Sequence, residues 1–170
     1  MGGGFMVLRL VHITLGVFWA GGVLFMNLIV GPAMAASGPD GMKVMAELNR
    51  RRYFDIMITA GALTILSGLD LMRRNSGGFA ASWFHSSAGI GYSTGMMAAI
   101  IAWLVGVLAI RPTLKRMSGI GARMAQATPD GQAALMAEML QVRGRLIAFG
   151  GVAAMFLLIA VLAMAVARYL

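Results

Sequence analysis

His12 stands inside an apolar run over residues 5–30, long enough to cross a bilayer, where an ionisable side chain is costly unless it pairs or binds something. Trp19 follows it by seven residues, so the two share one helix face. Gly16 between them leaves room beside the ring for a flat ligand or a close neighbouring helix. A neutral imidazole so placed suits a haem iron or a metal ion; the plain alternative is a core histidine satisfied by a neighbouring helix.

The second of the two histidines, His85, opens another apolar run and lies at the same level as His12. The small residues after it, from Ser86 to Gly95, can accept a porphyrin edge or a close helix. Tyr92, seven residues on, shares the His85 face as a pocket-lining candidate. Arg9 and Arg73, with Arg74, are placed to neutralise haem propionates. A Cu(I) site is the competing chemistry, because thioether is a soft ligand. Of the sixteen methionines, Met6, Met72 and Met96 fall near the His12 level, and the rest read as adaptable apolar filler. The chain has no cysteine, which excludes disulfides, thiolate sites and c-type haem attachment and leaves haem b, copper or no cofactor. Paired catalytic carboxylates, a nucleophile with a base, a phosphate loop and a zincin helix are all missing, so catalytic residues are not identified.

The elements that must carry these residues follow from composition. With 59% hydrophobic and 12% charged residues the chain is a polytopic membrane protein, all-α, with one four-helix membrane domain over residues 1–170. The expected spans are 5–30, 53–72, 87–110 and 146–167. Ala33-Met34-Ala35 imitates a signal-peptidase site, but the run before it is too long for a signal peptide and reads as a retained span. Met1-Gly2 would suggest myristoylation, yet Met6 stands where Ser or Thr is required.

The net charge of +8 does not imply nucleic acid, because the cations flank apolar spans. Ten Lys and Arg fall in the first and third connections and four on the opposite side, Arg9, Arg73, Arg74 and Arg168. The positive-inside rule then places both termini outside, in a bacterial inner membrane. Asp70 and Asp55 each have arginines three or four residues away as simple partners, and Asn27 is expected to donate between helices.

The four prolines form two matching pairs. Pro32 and Pro112 follow the first and third spans; Pro39 and Pro129 each open a Pro-Asp-Gly before the next helix. The pattern predicts two duplicated helical hairpins, approximately 1–75 and 82–170, related by an axis along the membrane normal. In both, the returning helix is expected to begin outside the membrane, because Met42, Met45, Leu48 and Leu135, Met139, Val142 keep a helical apolar stripe.

The His12, Trp19, Gly21, Gly22 pattern resembles the first helix of the copper-resistance protein D (CopD) domain. It is also similar to the first helix of HemJ, the four-helix protoporphyrinogen oxidase. The segment Ile56-Met57-x-x-Ala60-x-x-Leu63-Thr64-x-x-x-Gly68-Leu69-x-Leu71 resembles the second HemJ helix, and Trp83-Phe84-His85 the opening of its third; the likeness covers roughly residues 8–87. It implies His12 as haem ligand and His85 as a candidate for the opposite axial position. That family's functional lysine falls at Ser87 here. Three roles follow as expectations: a haem-binding or redox-associated membrane protein, a copper-handling one, or a non-catalytic accessory subunit of a larger membrane complex or homo-oligomer.

Overall fold

The computed structural model describes residues 2–169; Met1, Leu170 and the side chains of Pro39 and Asp130 lie outside the described residues. Among the described residues the structure is 89% helical without strands. Its helices are, in chain order, α1 (Gly3–Ala36), α2 (Pro39–Arg50), α3 (Tyr53–Asn75), α4 (Ala81–Phe84), α5 (Ser87–Met124) and α6 (Pro129–Ala167). Helices α1, α3, α5 and α6 are long and apolar enough to cross a membrane. Their outer faces are what lipid requires: Leu28, Leu66, Leu108 and Leu162 are all more than half exposed.

All four long helices run further than the expected spans, α3 the least, to Asn75. Proline lacks an N–H and its ring clashes with the carbonyl four residues back, so Pro32 and Pro112 were natural stops. Both are instead accommodated by a widened turn. Met26–Val30 and Gly106–Ile110 are π-helical, with the Gly31 N–H reaching the Met26 carbonyl and the Arg111 N–H reaching that of Gly106. The helix axis therefore continues through each proline, and α5 and α6 project together beyond the apolar level. There Met117, Ile120, Met139 and Val142 form a small core of their own, which the Leu135, Met139, Val142 stripe anticipated. The first hairpin differs, because Arg52 adopts a left-handed conformation (φ 56°) that separates α2 from α3. The expected continuous extension exists only for α6.

The four long helices form a ring in which α1 packs closely on α3 and α5 on α6, while α3 on α5 and α6 on α1 pack more lightly. Lipid is as apolar as leucine, so close backbone approach and interhelical hydrogen bonds must do the joining. Gly95 of α5 leaves no room for a side chain against Met164 and the Ala160 backbone of α6. The Trp103 Nε1–H donates to the Ile58 carbonyl at 2.9 Å, and the Tyr53 hydroxyl to that of Gly22 at 2.8 Å. Such bonds contribute about 0.6 kcal/mol each. The central layer is Trp19, Met57, Leu157 and a set of alanines from all four long helices.

Outside this layer, α2 is held by local charge. Arg50, then Arg51, hydrogen-bonds the Glu47 carboxylate and keeps it ionised below the usual carboxylate range. A carboxyl lowered in the fold stabilises it above the unfolded value of about 4.3, and that contribution is lost as pH falls through the lowered folded value. Acidification through this window is expected to fray α2 and spare the bundle. Amide exchange resolved by segment checks this: protection must fall in α2 before it falls in α3.

Candidate functional site

Between the four long helices, at the end that carries His12, lies a cavity of about 690 Å³, inside the range of small-molecule and cofactor sites. It exists because small residues and one bulky pair divide the helix contacts unevenly. At the ring centre Gly61 lets the indoles of Trp19 and Trp103 approach the α3 backbone. Toward the His12 end Gly16, Gly68 and Ala160 line the space with little side chain of their own.

His12 is seated against α3. Its Nδ1 lies 2.9 Å from the Thr64 carbonyl and 3.2 Å from the Ser67 hydroxyl. A carbonyl only accepts, so Nδ1 carries the proton and donates it. Ser67 accepts in turn, since its own hydroxyl donates to the Leu63 carbonyl at 2.7 Å. In the neutral ring the lone pair is then on Nε2, which has no hydrogen-bond partner among the described residues. The ring fits only because position 68 is glycine: a Cβ there would stand 2.7 Å from His12 Cε1 and 3.2 Å from the Met96 methyl carbon.

The remaining walls combine aromatic, thioether and cationic groups. Trp83 and Tyr92 stack with ring planes 9° apart and centroids 6.3 Å apart, and both face the cavity. Met72, Met96 and Met164 contribute thioethers, while Arg9 and Arg168 stand at its edge with no carboxylate among the lining residues. Neither arginine forms an ion pair among the described residues; Arg168 lies over the Tyr169 ring at 5.1 Å.

The structure thus brings together His12, Arg9, Tyr92, Met72 and Met96 from the sequence candidates. It does not bring in the other three. Met6 is 65% exposed on the outer face of α1. Arg73 is committed, with Arg74, to Asp70 on the exposed side of α3 at 2.8 and 3.0 Å. His85 is exposed at the corner after α4, because Ser86 caps α5 by accepting from the Gly89 N–H, so the helix that carries Tyr92 begins beyond the histidine. Two other expected pairings differ. Asp55 reaches Arg111 of α5 at 3.1 Å rather than its neighbours on the chain, and Asn27 donates to the Val23 carbonyl of its own helix. Arg168, Met164 and Trp83 were not foreseen as lining residues; for Arg168 the only signal was its place among the four cations at the His12 end.

The chain matches no protein-family model, no curated protein and no solved structure.

Proposed function

We propose that this is a haem-binding, redox-associated membrane protein in which His12 would hold the haem iron. The observation that carries the reading is the Nδ1–H bond to the Thr64 carbonyl, which orients the ring and leaves Nε2 as an unshared donor beside a 690 Å³ cavity. The remaining residues fit a dianionic tetrapyrrole. Arg9 and Arg168 offer two cations without a carboxylate partner among the described residues, and Trp83 and Tyr92 offer a flat aromatic wall. Bound there, a haem supplies one-electron chemistry at its iron. The protein's own contribution is to hold the imidazole in one tautomer, screen two carboxylates and keep the group inside an apolar bundle.

The resemblance to HemJ supports the same residue. With His85 turned outward, the side chains that could hold the group besides His12 are the lining thioethers of Met72, Met96 and Met164. The distribution of cations supports an inner-membrane location with the His12 end and both termini outside. The test is the optical spectrum of protein extracted gently from membranes: a stoichiometric Soret band is expected, and a colourless, folded protein that also fails to take up added haemin refutes the reading.

A second reading has its own observation. Met72 and Met96 line the same cavity as His12, and the Met96 methyl group and the His12 ring meet at one point over Gly68. An imidazole beside two thioethers is a donor set for Cu(I). Metal analysis after anaerobic Cu(I) loading separates the two: copper retained without a Soret band favours this alternative.

A further inference from the structure

A second cleft, of about 210 Å³, opens at the opposite end of the bundle, between the end of α1, helix α2 and the start of the apolar part of α6. We propose that it holds one anionic phospholipid, with the phosphate on Arg143 and part of an acyl chain among the methionines.

The cleft is built across an interface. Arg143 stands just before the ionisable-free run of α6 that begins at Leu146, which puts its guanidinium at headgroup level. Gly150, also on the cleft wall, lies about 10 Å deeper along the same helix. The walls also carry thioethers from Met26, Met34, Met42 and Met45, which adapt to an irregular chain better than branched residues do. Helix α2 forms the outer wall because Gly41 lets it fold back onto the backbone of Met34.

Charge selects the headgroup. No carboxylate lines the cleft, and Arg143 forms no ion pair among the described residues, in contrast to Arg116 and Arg123, which share Glu138. A cation above an apolar slot between membrane helices complements an anionic amphiphile. A zwitterionic lipid brings its own cation to the same point and gains less.

The experiment is native mass spectrometry of the full chain in mixed micelles, titrated with phosphatidylglycerol or phosphatidylcholine. One phosphatidylglycerol is expected to be retained against excess phosphatidylcholine, and inorganic phosphate is expected not to displace it. Arg143→Gln is expected to weaken retention about fivefold, whereas Arg145→Gln, an exposed cation outside the cleft, leaves it unchanged. Met42→Trp, which fills the cleft from a 42% exposed position, is expected to weaken it with Arg143 intact. Equal retention of the two lipids, equal loss in both arginine variants, displacement by phosphate, or unaltered binding in Met42→Trp overturns the proposal. So does Cu(I) uptake that Met42→Leu and Met45→Leu abolish while the lipid stays bound in Arg143→Gln. None of these outcomes depends on haem at the His12 end.

Discussion

His12→Ala removes the Soret band of the purified protein or lowers haemin affinity more than a hundredfold. The magnitude follows from comparison with weaker perturbations. Loss of a group that merely orients a metal-binding histidine costs 10–100-fold, and removing the donor nitrogen itself must exceed that. The measurement is haemin titration of apoprotein followed optically. A band that survives in His12→Ala places the ligand elsewhere.

The substitution is informative because the fold does not depend on the ring. The Thr64 carbonyl sits inside α3 and keeps its helical N–H partner from the next turn. Ser67 retains its bond to Leu63, so no buried polar atom is newly stranded on α3. The truncation also enlarges an existing cavity rather than opening a void in the tight Trp19 and Leu157 layer. Free imidazole should therefore re-enter the vacated space and restore the band. His85→Ala is the matched control: that ring is solvent-exposed and does not line the cavity, so the spectrum is expected to be unaltered.

The membrane class and the four crossing helices were legible because hydropathy over some twenty residues is a long, redundant signal. The ends of the helices were not. Pro32 and Pro112 carry a stop signal in every local rule, and only the π turns ahead of them, set by the path of the whole helix, cancel it. At Arg52 the reverse holds: nothing in the residue type announces a left-handed conformation, yet it divides α2 from α3.

The site was half legible for a similar reason. Arg9, His12 and Met96 were found by type and level, since an intramembrane histidine needs a partner. His85 was drawn in by the same logic, and the capping of α5 by Ser86, a matter of one turn of backbone, excluded it. Arg168 was out of reach because its relation to Arg9 joins opposite ends of the chain and depends on α6 closing the ring beside α1. The two cations come to line one cavity through packing, which no spacing along the sequence encodes.

Gly68 is the residue through which packing and chemistry are joined, and Gly68→Ala is expected to weaken haemin binding by one to two orders of magnitude while the helices still assemble. The added Cβ would meet His12 Cε1 at 2.7 Å and Met96 Cε at 3.2 Å. The two neighbours yield differently. Met96 ends in a flexible thioether whose methyl group swings aside cheaply. The imidazole is rigid and anchored at Nδ1 by the Thr64 carbonyl only one turn earlier on the same helix, so it must lengthen that bond or tilt. Overpacking of this kind costs about 1–3 kcal/mol. If it is relieved by moving the ring, it appears as misdirected Nε2 rather than as unfolding. Thermal denaturation of apoprotein should then shift by only a few degrees, while the haemin titration shows the larger change. A variant that binds haemin normally with an unaltered spectrum shows that the ring has slack, and the restraint assigned to Thr64 and Gly68 is then wrong even if His12 remains the ligand.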